Sequence, residues 1–434
     1  MLSYTTRTSK IAGEEIIYDV IGVGFGPSNI ALAIAMEEGN YPGKVLFIER
    51  NTQVSWHEGM LLNGSNIQNN PLRDLVTPVN PRSKYTFVNY LHQSGRLFDF
   101  LNLGVTHPLR QDYYDYIVWA GSQFQNVVYG SSVTKIELAY ISGQYLWRLT
   151  NNQGTNFLTR CLVVGTGRNL NIPKIKGVNS PNVIHFVNYL HHIKKYDKDS
   201  PIVVLGASQS AVEIILDLIN KGYQQIYSVH RSFSYCLKDT SCFSDEVYFP
   251  EFVDYYHGLP PQMRAELDKQ LRRTNYSSVD KDILDALYLI RYEDKINHRE
   301  RLKIYRNCVV DEINPNGKKS ILIRQLYKGN IDELPCDLMI LATGFLDIGR
   351  NGQEGLPKLL RDVADNFVWT DDYLKVERDY RIAMKEGVSL PDIYLNGLCE
   401  SSHGLGDAGS ISLVSLRAQD ILGGILKRLS PVVV

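Results

Sequence analysis

The feature that most constrains this 434-residue chain is a pattern written twice: an apolar run, a glycine-bearing turn, then a run of helix formers. In the first copy Ile16-Ile17-Tyr18-Asp19-Val20-Ile21 enters Gly22-Val23-Gly24-Phe25-Gly26-Pro27 and continues as Ser28-Asn29-Ile30-Ala31-Leu32-Ala33. Lys44 to Ile48 then predicts a buried strand that ends on Glu49. In the second copy Ile202-Val203-Val204-Leu205 enters Gly206-Ala207-Ser208-Gln209-Ser210-Ala211, followed by a helix to about Lys221 and a strand from Gln225 to Arg231. A strand that feeds a helix through a tight turn and returns as a parallel strand is a βαβ unit. Two such units predict an α/β fold with two Rossmann-like dinucleotide-binding domains.

The loops carry chemistry as well as topology. Gly22 permits the tight turn, and Gly24 lets a pyrophosphate approach the backbone; Gly26 and Pro27 stand where a third glycine is usual. The helix start offers free N–H groups and a positive dipole end to phosphate. Glu49 can take ribose hydroxyls and would repel a 2′-phosphate, so the first loop suits FAD or NAD. In the second loop Gly206 is kept, Ser208 replaces the second glycine, and Ser210 keeps the turn small. The strand after it ends on Arg231, which suits the 2′-phosphate of NADPH. The bland alternatives are ordinary glycine turns and a solvated strand-end arginine. Two dinucleotides on one chain predict a flavoprotein that takes hydride from NADPH. These residues leave open whether the electrons go on to a disulfide, a quinone or O₂. The disulfide is disfavoured, because the six cysteines form no C-x-x-C pair.

Two further apolar runs stop at glycine turns: Cys161 to Arg168, and Cys336 to Phe345 with Thr343 and Gly344 at the turn. Read as crossings between modules, they predict an FAD-binding domain in two parts, 1–195 and 334–434. An NADPH-binding domain, 200–333, is inserted between them and carries a small helical substrate-site region, 236–300. Asp197 to Pro201 is the expected hinge. Charge excludes other partners: 46 basic against 47 acidic residues leave a net charge of −1, with no footprint for nucleic acid or an anionic membrane. The apolar runs are too short to span a bilayer, Met1 to Glu15 has no apolar signal core, and scattered cysteines fit a reducing compartment, so a cytoplasmic location is expected. The ten histidines show no H-x-x-x-H or H-E-x-x-H spacing, and no metal is expected.

Several longer runs are more specific. They include Gly22 to Asn29, Gln68 to Pro81, Tyr85 to Leu91, Ser244-Asp245-Glu246-Val247-Tyr248, Thr274-Asn275-Tyr276-Ser277, Asp337 to Phe345, and His403-Gly404-Leu405. On these runs, over nearly its whole length, the chain resembles the flavin-dependent N-hydroxylating monooxygenases, the ornithine and lysine N-hydroxylases of siderophore biosynthesis. The resemblance implies FAD, NADPH, O₂ and a primary amine as reactants, with a homo-oligomer, dimer or tetramer, as the assembly. It also implies a flavin C4a-hydroperoxide whose distal oxygen the amine attacks, with NADP⁺ retained to shield it. The protein would then exclude water and hold the amine unprotonated, and no nucleophile or metal is required. Other NADPH-dependent flavin monooxygenases, of Baeyer–Villiger or S-oxygenating type, share the loops but not the Thr274 to Ser277 run. A flavin module that only senses redox state is the non-enzymatic alternative.

By the same resemblance Gln68 lies beside the flavin, Asn275 contacts the amine, and Asp407 belongs to the cofactor site. Three positions depart from the family. Arg73 replaces a lysine that pairs with the amino-acid carboxylate, and Asp245 replaces a substrate-contacting asparagine. The segment Gly406 to Ser412 is one residue longer than usual, and its small residues are expected to open a helix facing the flavin. A weakened carboxylate clamp points to a decarboxylated amine such as putrescine, cadaverine or histamine, with Asp245 on the second cation. The opposing expectation is that Arg73 and Asp245 pair with each other and L-ornithine or L-lysine still binds.

Overall fold

The computed structural model describes residues 16–429 except 315–316, 350–355, 371–372 and 388–389. The signal-core question at Met1 to Glu15 lies outside the described residues, save for the absence of an apolar run already noted. Both glycine-loop units form. The first strand, Ile17–Val23, pairs in parallel with Val45–Ile48 on one side and Asn156–Val164 on the other. Its helix runs Pro27–Glu38. On its far edge Asn156–Val164 serves two further neighbours: its first half pairs antiparallel with Gln144–Asn151, and Cys161 to Val164 pair in parallel with Asp392–Leu395. The C-terminal region thus returns to the first sheet, and the helix Val414–Leu429 packs on Pro27–Glu38.

The second sheet is wholly parallel, in the order Leu302–Arg306, Ile226–His230, Ile202–Leu205, Leu338–Leu341, Val183–His185. Its interior strands Ile202–Leu205 and Leu338–Leu341 are covered on both faces, which is why they read as unbroken apolar runs; Ile202, Val203, Val204, Leu338 and Ile340 have no exposed surface. This corrects the expected boundaries. Val183–His185 lies before residue 195 and Leu338–Leu341 after 334, yet both belong to the second sheet. The run Cys336 to Phe345 is therefore an interior strand of the second sheet, between Ile202–Leu205 and Val183–His185, and its exit, not a strand of the first. An apolar run fully buried on both faces carries no mark of which sheet it joins. A small antiparallel sheet, Cys308–Ile313, Ser320–Gln325 and Ile331–Pro335, closes this half. Within the expected helical region, 236–300, the structure has the helices Pro261–Leu271 and Lys281–Ile296, broken by the Thr274 to Ser277 turn. Asp197 to Pro201 is tied in place: Gln224 N–H donates to Lys198 O at 2.8 Å. No helix among the described residues is long and apolar enough to cross a membrane.

Candidate active site

The first loop is shaped by backbone contact. Gly24 has φ +88°, and a Cβ there would lie 2.5 Å from the carbonyl oxygen of Gly165. A Cβ on Gly22 would lie 2.4 Å from the Phe47 ring, while Gly26 faces open space. Gly26 is the N-cap, with no side-chain cap and no acid in the first helical turn. The N–H groups at this helix start are thus left for an anionic ligand, as a pyrophosphate requires. Glu49 stands at the mouth of the loop, 7% exposed. Its Oε2 accepts Phe25 N–H at 2.6 Å and its Oε1 accepts Asn51 N–H at 2.9 Å. Each oxygen keeps a second lone pair that a ribose hydroxyl can use.

A buried polar network fixes this loop to the C-terminal region. Asn29 Nδ2 donates to Gly24 O at 2.7 Å, and Asn396 Nδ2 donates to Asn29 Oδ1 at 2.9 Å. Arg417 Nε donates to Asn396 Oδ1 at 2.8 Å, Nη1 meets Asp407 Oδ1 at 2.8 Å, and Nη2 donates to Ser28 Oγ at 3.1 Å. Asp407 Oδ2 takes Cys399 N–H at 2.7 Å. Asp407 is completely buried with both oxygens engaged inside the protein, so the structure places it beneath the loop rather than facing a ligand. The helix expected to open within Gly406 to Ser412 begins only at Val414; the small residues before it form a loop.

The second loop repeats the plan. Gly206 has φ +144° and a Cβ there would lie 2.4 Å from Ala342 O. Ser208 caps Gln209–Asn220 without a side-chain bond, and no acid occupies the first turn, where Ser210 sits. Arg231, expected to take a 2′-phosphate, is exposed just past Ile226–His230. Thr343 and Gly344 follow Leu338–Leu341. The Thr343 hydroxyl donates to Asn171 O, and Gly344 O faces His185 Nε2 at 2.9 Å. They anchor the exit of the second sheet.

The residues expected to meet the amine are linked to one another through the 406–412 segment. Arg73 Nη1 lies 3.9 Å from Asp245 Oδ2, and the guanidinium sits over the Tyr248 ring, 5.2 Å from its centre. Asn275 Nδ2 donates to Leu405 O at 2.9 Å. Ser412 Oγ donates to Asn69 Oδ1 at 2.6 Å, and Asn69 Nδ2 to Arg73 O at 2.7 Å. The longer 406–412 loop therefore touches both the Asn275 turn and the Arg73 segment. Gly409 makes that close approach possible, since a Cβ there would lie 2.0 Å from Tyr276 Oη and 2.6 Å from Asn275 Nδ2. Its N–H donates to Glu400 Oε1 at 2.6 Å, while Arg168 Nη1 meets Glu400 Oε2 at 3.3 Å and donates to Tyr276 Oη at 2.8 Å. Burial pushes the Glu400 carboxyl above its ordinary range, opposed by Arg168 and the Tyr276 hydroxyl.

Gln68 reaches Glu213 Oε1 at 3.5 Å. Glu213, Arg110, Arg168, Glu400 and Arg417 were not singled out by the sequence reading. Only Glu213 carried a signal, as a lone charge within the apolar stretch Ala211-Val212-Glu213-Ile214-Ile215. Among the described residues no group of histidine, cysteine and acidic side chains could hold a metal ion.

Comparison with known proteins agrees with this geometry. The profile of the L-lysine 6-monooxygenase/L-ornithine 5-monooxygenase family matches residues 16–347. An L-ornithine N(5)-monooxygenase of Pseudomonas aeruginosa is 33% identical over 437 residues, 96% of this chain and 95% of that protein. A putrescine N-hydroxylase of Shewanella oneidensis is 27% identical, over 92% of this chain and 80% of its own. Among solved structures, an ornithine N-hydroxylase of Kutzneria sp. 744 with reduced FAD, NADP⁺ and L-ornithine superposes with a TM-score of 0.88 at 29% identity, covering 96% of this chain and all of that one. Two dinucleotide loops, a glutamine and an asparagine turn between them, and this match over most of the sequence lead to one assignment: the chain belongs to the L-lysine 6-monooxygenase/L-ornithine 5-monooxygenase family, the FAD- and NADPH-dependent N-hydroxylating monooxygenases.

Proposed function

We propose that the protein N-hydroxylates a small primary amine that lacks an α-carboxylate, such as putrescine, cadaverine or histamine, as a step in siderophore biosynthesis. The observation that carries this reading is the negative charge of Asp245 beside Arg73, at a position where the family resemblance places an uncharged asparagine. The cation expected to meet a carboxylate already faces an anion at 3.9 Å and rests on Tyr248. A second carboxylate entering there would meet Asp245, whereas the far cation of a diamine or an imidazolium would be drawn to it.

Bound FAD, reduced by NADPH, supplies the activated oxygen. The chain's own contribution is placement. The glycine loops and their helix starts would hold the two pyrophosphates, with Glu49 placed to take a ribose and Arg231 the 2′-phosphate. Asn275 spends its amide N–H on Leu405 O, which leaves Oδ1 to accept an N–H from the amine and aim its lone pair. The 406–412 loop, held by Glu400 and Asn69, covers the site against water. Dryness matters because an ammonium has no lone pair to attack with, and desolvation favours the neutral amine.

A second reading, L-ornithine, is favoured by the Arg73–Asp245 pairing itself, the outcome anticipated for a site that still binds the amino acid, and by the 33% identity to an ornithine enzyme over nearly the whole length. The pair is weak: Arg73 and Asp245 are 27% and 42% exposed, and such pairs contribute about 0–1 kcal/mol. Arg73 could leave Asp245 and grip a carboxylate with both nitrogens. Initial rates of NADPH-dependent hydroxylamine formation across putrescine, cadaverine, histamine, L-ornithine and L-lysine separate the two. The proposal predicts the highest kcat/KM for an amine without a carboxylate. A preference for ornithine or lysine of about 100-fold, roughly 2.7 kcal/mol, ends it.

A further inference from the structure

One buried carboxylate with no part in the chemistry described so far joins both dinucleotide modules. Glu213 lies on Gln209–Asn220, the helix that opens from the second glycine loop, and its side chain is 3% exposed. Its Oε2 is 3.1 Å from Arg110 Nη2, and its Oε1 accepts from Gln209 at 3.0 Å, Arg110 at 3.4 Å and Gln68 at 3.5 Å. Arg110 starts a helix of the first module, Arg110–Gly121, and also donates to Met60 O at 3.2 Å and Asn66 O at 3.3 Å. The carboxylate thus holds, through one arginine and one glutamine, the whole segment from Met60 to Gln68.

That segment is seated in the second module. Met60 and Leu62 are buried in the same apolar cluster as Ile202, Ala211 and Ile215. A Cβ on Gly59 would lie 2.0 Å from Val187 O, so the two backbones touch. On its other side Glu213 reaches the amine turn: Gln209 N–H donates to Ser278 O at 3.0 Å, and Gln209 Oε1 accepts Asp280 N–H at 2.9 Å. Burial pushes the Glu213 carboxyl above its ordinary range, with Arg110 and Gln209 opposing.

We infer that Glu213 is a positioning residue for hydride transfer: by clamping Arg110 and Gln68 it fixes the distance between the nicotinamide held on the second loop and the flavin held on the first. The inference rests on the assignment of the two loops to NADPH and FAD. Transfer from one ring to another needs a near-contact pose, and a misplacement of about 1 Å costs on the order of 100-fold. A salt bridge one helical turn inside the phosphate-binding loop is rigidly coupled to that pose, whereas pairs on the outer surface are not.

The test uses the flavin-loaded protein and Glu213→Gln, which keeps the volume and an acceptor oxygen but loses the charge facing Arg110. Anaerobic stopped-flow reduction by NADPH is expected to slow at least fivefold at saturating NADPH, with a larger isotope effect from [4-²H]NADPH and with photochemical flavin reduction unchanged. In the flavin-free protein, amide hydrogen exchange over residues 60–68 is expected to quicken while Ile17–Val23 stays protected. Reduction slowed less than fivefold, or exchange over 60–68 unchanged, overturns the assignment. Should Glu213→Gln fail to hold flavin, Arg110→Lys is read by the same criteria. If the parent protein itself is not reduced by NADPH, the cofactor assignment falls and this inference with it.

Discussion

Replacing Arg417 by methionine isolates the energetic contribution of the network under the flavin loop. The Arg417 and Asp407 side chains are 2% and 0% exposed. Arg417→Met leaves the Asp407 carboxylate in place with only Cys399 N–H as partner, and strips Asn396 Oδ1 and Ser28 Oγ of their donor. Removing one member of a buried pair costs about 3–5 kcal/mol, since the remaining charge is stranded. Against a total stability of roughly 5–15 kcal/mol this is a large fraction. Ser28 and Asn29 open the helix at the first glycine loop, so FAD affinity is expected to fall at least ~10-fold, about 1.4 kcal/mol. Urea unfolding of the flavin-free protein, followed by tryptophan fluorescence, reads the first quantity; titration with FAD reads the second. Adding Asp407→Asn to Arg417→Met removes the stranded charge and is expected to recover at least half of the lost stability. A loss below about 1 kcal/mol, or no recovery in the double variant, refutes the reasoning.

Gly24→Ala combines a Cβ 2.5 Å from Gly165 O with a φ of +88°, and the purified protein is expected to emerge colourless and to bind added FAD poorly by absorbance titration. Arg231→Ser removes a charge-assisted contact of about 1.5–3 kcal/mol, so KM for NADPH should rise roughly 10- to 100-fold while KM for NADH stays put. Asp268, which accepts the Tyr256 hydroxyl at 2.9 Å, has its carboxyl pushed up to about 6, chiefly by burial. The folded protein therefore holds this proton more tightly than the unfolded chain. The stability it contributes is complete below the unfolded value, near pH ~4, and is lost as pH rises through about 6, by at most ~3 kcal/mol. Asp268→Asn keeps the tyrosine bond and should flatten the melting temperature between those limits; an unchanged pH profile contradicts this.

What the sequence reveals and what it hides divide along locality. The two loops are legible because strand, glycine and helix follow one another within a few residues, and Gly24 and Gly206 do adopt the left-handed φ their turns require. The Arg73–Asp245 contact is the outcome anticipated for a site that still binds ornithine, and it was legible because two opposite charges stood at positions the family gives to other residues. The assignment of Val183–His185 and Leu338–Leu341 to the second sheet was hidden, since sheet membership is decided by partners more than a hundred residues away. Asp407 was given to the cofactor site by resemblance alone, while its buried partner Arg417, ten residues on, carried no mark in the sequence that the two would pair. Glu213 was passed over as a charge in an apolar run, although a buried acid on an otherwise apolar helix face calls for a distant cation. The helix expected within Gly406 to Ser412 was misread because small residues suit a close loop over Asn275 as well as a helix start.

The most direct test of the account is the fate of oxygen. The FAD-loaded protein is given NADPH, ¹⁸O₂ and putrescine or histamine in ordinary water, and the product is examined by mass spectrometry. The account predicts a hydroxylamine carrying one labelled oxygen atom on nitrogen, formed with the consumption of NADPH. NADPH oxidation that yields only hydrogen peroxide with every amine tried, or a product whose oxygen comes from water, contradicts it.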